Sequence, residues 1–265
     1  MGMLVVRDIA LYFQEVGKGD SLLFIHCIAE DANTWDEHVL HLGEEFRCVA
    51  YDRRGHTRSP LGTIVSSSVE VHTDDAVEVI AALGLAPATI VGCDRGAEIG
   101  LDLIRRYPTL IRGAILCDPP LESLTPHAAR EFRARVASQM QAAPTPRAAV
   151  DVFFTHSSGT AWTRLSEGRR EAARSNYAAL LASLDLPPYQ LTPDNLQHIV
   201  VPVRVVTGTR SVPFLRQAAR TLAQHIPNAE FLELDGVGSV LYFDQPAVFR
   251  DAVRSFAQRL TGAPI

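Results

Sequence analysis

The residue whose type and position point most directly to chemistry is Asp94. It is the middle residue of the pentapeptide Gly92–Gly96, which follows an apolar run ending at Val91 and precedes a helix-forming stretch over 97–106. Small residues at both ends of the pentapeptide permit a sharp turn from strand to helix, so that the middle side chain projects from the sheet. A carboxylate held there can act as a nucleophile, a general base or a general acid.

Two further polar side chains directly follow predicted strands. His26 comes after the apolar run 21–25, and Asp118 comes after the apolar run 113–117. We expect His26, at the carboxyl end of a central strand, to face the pocket, where its role is either structural or catalytic. Asp118, at the end of the strand after the pentapeptide, is either a solvated strand-end residue or a third candidate catalytic residue.

The elements that position these residues alternate along the chain. Such alternation of strands and helices is typical of a parallel sheet. In the helix predicted over 69–83, Ser67 and Glu70 have the spacing of a capping box. The predicted strands are 4–6, 9–15, 21–25, 46–51, 89–91, 113–117, 201–207 and 230–234, and further core helices are predicted over 97–106, over 214–225 and after Pro246.

The segment 121–196 interrupts this alternation. It contains helix-forming runs over 128–141, 147–154 and 169–184, and no convincing strand. We therefore predict a core domain formed by residues 1–120 and 197–265, with a helical cap of residues 121–196 inserted into it. Cap side chains are expected to line the substrate cavity, and the candidates are His156, Trp162, Tyr177 and Tyr189.

The composition argues against several classes of protein. The chain has 265 residues, of which 47% are hydrophobic, and a net charge of −5 without a basic stripe for nucleic acid. No run of about 18 apolar residues suggests a membrane span, and the N-terminus does not resemble a signal peptide. We expect a cytoplasmic monomer or homodimer that binds a small-molecule substrate, without a cofactor and without nucleic-acid or membrane partners.

The four cysteines lie at or near the ends of predicted strands. They lack the CxxC spacing of redox and metal sites; they are Cys27, Cys48, Cys93 and Cys117. This arrangement predicts buried free thiols rather than disulfides or a metal cluster. We expect no metal site anywhere in the chain.

Several segments, taken in order, resemble the α/β-hydrolase superfamily over nearly the whole chain. They are Ile25-His26 followed by Trp35, 51–56 with Ser59, the pentapeptide 92–96, 207–209, and 235–238 before Gln245-Pro246. The resemblance implies an α/β-hydrolase fold: a mostly parallel, eight-stranded type of sheet with helices on both faces and an inserted helical cap. It also makes the pentapeptide the nucleophile elbow.

An elbow Asp followed by Arg-Gly is most similar to the haloacetate dehalogenase, haloalkane dehalogenase and epoxide hydrolase branch. The resemblance implies that Asp94 forms an alkyl ester, which a histidine-activated water then hydrolyses. Asp118 matches a position of the carboxylate that orients this histidine, and Arg95 matches an arginine that binds a substrate carboxylate. The chain departs from the pattern at the histidine position, which is Ser239, and at a second arginine position, which is Glu98.

The resemblance also implies an oxyanion hole beside the elbow. The backbone N–H groups of Ile28 and Arg95 are its expected donors. Cys27 occupies a position where the family has glycine. Ser239 is expected to line the pocket, where its hydroxyl can position a ligand or water but cannot act as a base.

These observations leave three hypotheses open. The first is an atypical enzyme in which Asp94 is a general acid or base for elimination, cyclisation, isomerisation or decarboxylation of a small apolar molecule, in bacterial secondary metabolism. The second is an epoxide hydrolase or dehalogenase with Asp94 as nucleophile and His26 or ordered water replacing the base. The third is an inactive ligand-binding protein. A buried, unpaired carboxylate is costly to keep, which favours the two enzymatic hypotheses.

Overall fold

The fold is built around one sheet of eight strands. A computed structural model describes residues 1–261, and in it the strand order is β1-β2-β4-β3-β5-β6-β7-β8. β2 pairs antiparallel with β1 and β4, and every other pair is parallel. The strands are β1 Gly2–Val6, β2 Ile9–Val16, β3 Ser21–Ile25, β4 Arg47–Tyr51, β5 Ala88–Cys93, β6 Ile111–Cys117, β7 Val203–Gly208 and β8 Ala229–Leu234.

Helices cover both faces of this sheet. Successive side chains of a strand point to opposite faces, and β3 illustrates the result. Leu23 and Ile25 pack in a core that includes side chains of α2, α3 and α10, whereas Leu22 and Phe24 pack in a second core with side chains of α1 and α12. These helices are α1 Asp36–Leu42, α2 Val69–Ala82, α3 Arg95–Arg106, α10 Pro213–His225 and α12 Pro246–Thr261.

A helical insert lies between β6 and β7. Its helices α4, α5 and α8 share a third apolar cluster that includes Val136, Val150 and Leu180 and also takes in Ile28 and Phe214 of the core. The remaining helices are α4 Pro126–Gln141, α5 Pro146–Ser158, α6 Thr160–Arg164, α7 Glu167–Ser175, α8 Tyr177–Asp185, α9 Pro193–Gln197 and α11 Leu241–Asp244. The predicted α/β-hydrolase fold with its inserted helices is thereby confirmed.

Two local predictions are wrong. The residue that caps α2 is Ser68 rather than Ser67, since the Ser68 hydroxyl accepts a hydrogen bond from the Val71 N–H at 3.3 Å. The helix predicted over 169–184 is two helices that meet at Asn176. The Asn176 side chain bonds to the core instead of continuing the helical pattern.

Three further features of the described residues concern membrane insertion, the cysteines and metal binding. No helix within 1–261 is long and apolar enough to cross a bilayer. The four cysteines are free and buried. Within the same residues, no three His, Cys, Asp or Glu side chains converge in a way that would hold a metal ion.

Candidate active site

Asp94 occupies a sharp elbow between β5 and α3. Its backbone has φ 50° and ψ −119°, a left-handed conformation that is uncommon for a residue with a side chain. The flanking glycines permit this turn: a Cβ on Gly92 would lie 2.2 Å from the carbonyl oxygen of Gly96, and a Cβ on Gly96 would lie 2.1 Å from that of Ile25. Such strain is typical of functional sites.

One backbone N–H is aimed at the Asp94 carboxylate. The N–H of Ile28 donates a hydrogen bond to Oδ2 of Asp94 at 3.0 Å. Ile28 follows β3, so this contact joins the ends of two neighbouring strands. The N-terminus of α3, which begins at Arg95, adds a partial positive charge on the same side. The site can therefore stabilise negative charge that develops on a bound molecule.

His26 has a different environment from the one expected of a catalytic base. Its Nδ1 lies 2.8 Å from the carbonyl oxygen of Cys27, and its Nε2 accepts a hydrogen bond from the N–H of Arg53 at 2.9 Å. Burial, the Arg53 guanidinium and the His56 ring hold the pKa of His26 well below its usual range. Both nitrogens therefore serve the backbone, and the geometry favours a structural role.

Asp94 lines an inner cavity of about 70 Å³ beneath the insert. Among residues 1–261, no histidine lines this cavity; three of its side chains are carboxyls, namely Asp94, Glu98 and Glu122. Most other lining side chains are apolar: Ile28, Pro120, Phe132, Phe153, Leu184, Leu186, Pro187, Pro188, Phe214 and Leu215. Three carboxyl groups thus face a largely apolar space.

Glu98 lies one helical turn after Asp94 and is 2% exposed. Oε2 of Glu98 accepts a hydrogen bond from Nη1 of Arg95 at 2.6 Å. Burial raises the pKa of Glu98 to about 7, against the opposing charge of Arg95 and with help from the negative charge of Asp94. Near neutral pH this carboxyl can therefore hold or release a proton.

The two arginines of the inner cavity are already paired with its carboxylates. Arg95 pairs with Glu98, and Nη1 of Arg133 lies 3.1 Å from Oε2 of Glu122. Arg133 also donates through Nη2 to the carbonyl oxygen of Leu184. Within the described residues, Asp94 is the cavity carboxylate without an arginine partner.

Asp118 directly follows β6, the strand that pairs with β5, and is 1% exposed. Its two oxygens accept hydrogen bonds from the hydroxyls of Thr207 and Ser211, each at 2.6 Å. Burial, with the negative charge of Asp94 as a smaller cause, raises the pKa of Asp118 to about 7. These two hydroxyls hold the Asp118 carboxyl in place, and no histidine takes part in these contacts.

Ser239 lines a separate polar cavity of about 370 Å³, which also includes His156 and Ser211. The Ser239 hydroxyl is buried and approaches Asp118, whose pKa it helps to lower. Ser157 lines this cavity and the inner cavity, so it marks the boundary between them. The structure therefore places Ser239 and His156 beside the Asp94 cavity rather than in it.

The remaining aromatic candidates separate into different environments. Tyr177 lines a large outer cavity of the insert. Trp162, contrary to the prediction, belongs to the core of the insert: it stacks on Phe154 with ring centroids 4.5 Å apart. Tyr189 is also misassigned as a cavity residue, since its hydroxyl donates to buried Asp102 at 2.7 Å.

Cys27 is buried near the start of the loop that follows β3. Its Sγ donates to the hydroxyl of Tyr242 at 3.6 Å, and it does not line the inner cavity. Burial raises the pKa of Cys27 to about 12. The thiol is therefore uncharged at neutral pH and packs as a small apolar group.

Sequence reasoning gave no catalytic role to Glu98 and did not single out Glu122, Arg133 or Phe132. The spacing of Glu98, four residues after Asp94, could have revealed it, because residues four apart lie on one face of a helix. The other three lie in or after the loop that enters the insert. Their convergence on Asp94 depends on how that insert folds over the sheet, and no spacing in the sequence records it.

The chain is similar to known proteins both in sequence and in fold. A profile of the "Alpha/beta hydrolase family" matches residues 22–252. An uncharacterized hydrolase, YraK, of Bacillus subtilis is 36% identical over 124 residues, which are 46% of this chain and 46% of that protein. This chain therefore aligns with about half the length of that relative.

Two other proteins match along nearly their whole length. A non-heme chloroperoxidase of Streptomyces lividans is 26% identical over 286 aligned residues, covering 97% of this chain and all of that protein. The solved structure of esterase EaEST from Exiguobacterium antarcticum superposes with a TM-score of 0.83 at 17% identity, covering 97% of this chain and 100% of that one. The structural likeness concerns the fold.

Proposed function

The chain belongs to the alpha/beta hydrolase family, and we propose that it is an enzyme of this family that catalyses proton transfer on a small, apolar organic molecule. Elimination, isomerisation and cyclisation are the reaction types in question, whereas decarboxylation would need a carboxylate substrate. The observation that carries the proposal is the pair of carboxyl groups, Asp94 and Glu98, that face one apolar cavity lacking a histidine among the described residues.

Asp94 is the proposed general base. Its carboxylate has no arginine partner within the described residues, and the Ile28 N–H fixes one of its oxygens, so the other oxygen is available to a substrate proton. A base of this kind removes a proton from carbon, and the electron pair left behind forms a new double bond or expels a leaving group. The partial positive charge at the N-terminus of α3 then stabilises the negative charge that develops on the substrate.

Glu98 is the proposed general acid. In its neutral form it donates a proton to the oxygen or nitrogen on which charge develops, while Asp94 carries the proton removed from carbon. Carboxyl groups in one site with different environments are the usual basis for such a division of roles. The pKa of Glu98, raised to about 7 by burial, keeps the neutral form populated near neutral pH.

The charges around the cavity support a neutral substrate. Arg133 is paired with Glu122, and Arg95 donates hydrogen bonds to Glu98 and to the carbonyl oxygen of Ser183, so both guanidinium groups are held by contacts within the protein. A small anion would also meet the charge of Asp94. Apolar side chains supply most of the remaining wall.

The proposal can be tested with 5-nitrobenzisoxazole, a neutral probe. A base removes its ring C–H proton while the N–O bond breaks, and the coloured phenolate is released. We expect the wild type to exceed the acetate-catalysed rate, and Asp94→Asn to lose about 10²–10⁴-fold, the usual contribution of a positioned base. Asp251→Asn, at an exposed carboxyl of α12 outside the three cavities, is the matched control. An unchanged rate in Asp94→Asn would contradict the proposal.

A second candidate uses Asp94 as a nucleophile, and the elbow position of this carboxylate favours it. Attack on an epoxide or alkyl halide would form an ester on Asp94 and leave an alkoxide or halide. Intact-protein mass spectrometry after incubation with styrene oxide or 1-bromohexane would show this adduct. In that case the adduct persists, because no histidine lines the cavity within residues 1–261, and Ser239→His should accelerate its release.

Ester hydrolysis by a serine pathway is not expected. The elbow residue is a carboxylate, and Ser239 lines the neighbouring cavity. The protein should therefore show little turnover of p-nitrophenyl acetate. If there is no alkyl adduct and the wild type turns the probe over no faster than acetate does, the third reading, an inactive ligand-binding protein, replaces both enzymatic ones.

A further inference from the structure

The insert contains an outer groove far larger than the inner cavity. Its volume is about 940 Å³, and it lies between α4 and the segment formed by α8 and residues 186–190. The apolar side chains along it come from both walls and include Val136, Met140, Tyr177, Leu181 and Leu186. Pockets that hold small organic ligands have volumes of about 300–1,000 Å³, so the groove lies within that range.

The groove and the inner cavity are continuous. Eight residues line both, among them Phe132, Phe153 and Leu184. The inner cavity, at about 70 Å³, has room for roughly two water molecules at the ~30 Å³ that each occupies in the liquid. An organic substrate whose reacting atom reaches Asp94 must therefore extend into the groove.

We propose that the groove between α4 and α8 binds the apolar chain or ring system of an elongated substrate whose reacting group enters the inner cavity at Asp94. This inference rests on the proposed function for the identity of the reacting end. It adds the substrate class: a neutral molecule with a hydrophobic portion at least as long as a medium alkyl chain.

The charges along the groove agree with an apolar occupant. Glu122 and Arg133, at the junction with the inner cavity, neutralise each other. Arg130 and Asp185 carry opposite charges and are exposed at the rim. An apolar chain can lie between these groups without removing an unpaired charge from water, which would be costly. Continuity with the Asp94 cavity favours a substrate over a protein segment as the occupant.

The test measures binding of a homologous series, hexanol, octanol and decanol, by calorimetry. These probes are neutral and need no turnover, so the result is independent of whether Asp94 is catalytic. We expect affinity to rise up to about fourfold per methylene, the value for complete burial of that group. The same increments are expected in Asp94→Asn, and a crystal of the decanol complex should show the chain along α4.

Two pairs of variants locate the binding. On α8, Leu181→Asp places a charge in the groove, and Ala182→Asp, at the next and exposed position, is its control. On α4, Ala137→Asp places a charge in the groove, and Ser138→Asp is its control. The groove variants should lose the dependence on chain length, while the controls keep it. Ala137 is exposed, so its variant is expected to fold even if Leu181→Asp does not. A wild type without chain-length dependence, or groove variants that retain it, would overturn the inference.

Discussion

Two carboxyl groups one helical turn apart have different surroundings in this protein. Asp94 sits at the end of β5 with the Ile28 N–H on one oxygen, whereas Glu98 is enclosed by protein and paired with Arg95. Since burial opposes the charged form of Glu98, the proton is more readily held there. Their spacing along the chain thus brings two carboxyl groups with different surroundings to one cavity.

The role of Glu98 predicts a dependence of rate on pH. With unsubstituted benzisoxazole, whose phenolate leaves less easily than the nitro compound's, the wild-type rate should fall as pH rises through about 7, because neutral Glu98 is lost. Glu98→Gln should reduce the rate below that pH by about 10²-fold and remove this alkaline decline. Gln can still accept a hydrogen bond from Arg95, so the variant tests the proton rather than the contact.

The nitro compound is the internal control for this measurement. Its phenolate is stable enough to leave without a proton, so Glu98→Gln should affect it far less. Equal losses for both compounds would mean that Glu98 positions Arg95 or the substrate and does not donate a proton.

At the residue scale, some side-chain environments could be predicted from the sequence and others could not. The elbow of Asp94 was recognisable because the glycines on either side are required by local geometry. The hydrogen bonds of His26 could not be predicted from the sequence, because its Nε2 accepts from the N–H of Arg53, 27 positions away along the chain. Trp162 and Tyr177 look alike in sequence, and only tertiary packing sends one to the core of the insert and the other to the groove.

At the element scale, Asn176 connects the insert to the loop that follows β3, residues 26–31. It lies between α7 and α8, and its Nδ2 donates to the carbonyl oxygens of Ala29 and Glu30, both at 3.2 Å. Its Oδ1 accepts from the N–H of Thr57 at 2.8 Å. Ala29 and Thr57 have φ of 58° and 41°, a conformation that needs support from neighbours. One amide therefore supports two strained loops.

Removing this amide should weaken the fold. Asn176→Ala leaves buried backbone groups without partners, so we expect the free energy of unfolding to fall by about 1–3 kcal/mol. The displaced loop should also lower turnover of 5-nitrobenzisoxazole, because Ile28 precedes Ala29. Urea denaturation and the probe assay measure the two effects.

Asn228→Ala serves as the comparison for Asn176→Ala. Asn228 is exposed and makes a long hydrogen bond of 3.4 Å to the carbonyl oxygen of Val200, so its removal should change stability by less than about 0.5 kcal/mol. If the two variants are equally stable, the bonds of Asn176 do not hold the loops.

The arrangement of elements was largely predictable, because alternating strands and helices permit few topologies. β3 was predicted with its observed bounds, as the continuous apolar run 21–25 is typical of a strand covered on both faces. The break at Asn176 was not predictable, because residues on either side of it are good helix formers. The break is favoured by bonds to residues 29, 30 and 57, which are remote in sequence.

At the scale of the whole molecule, ionisable groups are buried on both sides of the elbow. His26, His56 and His72 lie in a row, with ring centroids 4.9 and 6.2 Å apart. Burial, with Arg53 nearby, holds the pKa of each ring well below its usual range. These rings stay neutral in the fold but become charged in the unfolded chain below about pH 6.5. Their contribution to stability is therefore lost as pH falls.

Asp118 has the opposite effect on stability. Its pKa is about 7 in the fold and 3.8 ordinarily, so the folded state holds a proton that the unfolded state releases between these values. Stability from this group is fully present below about pH 4 and declines as pH rises through about 7. Because the histidines contribute in the other direction, the effect of Asp118 has to be isolated by comparison with a variant.

Asp118→Asn makes that comparison, since its side chain is neutral at every pH and nearly the same shape. From pH 5 to pH 8 the wild type should lose about 2–3 kcal/mol of unfolding free energy relative to the variant, at 1.36 kcal/mol per pKa unit. Denaturation curves at a series of pH values measure the difference, with Asp251→Asn, at an exposed position of α12, as control. A difference that stays constant with pH, or grows in favour of the wild type, would mean that Asp118 is already ionised in the fold. The hydroxyls of Thr207 and Ser211 would then outweigh the cost of burying its charge.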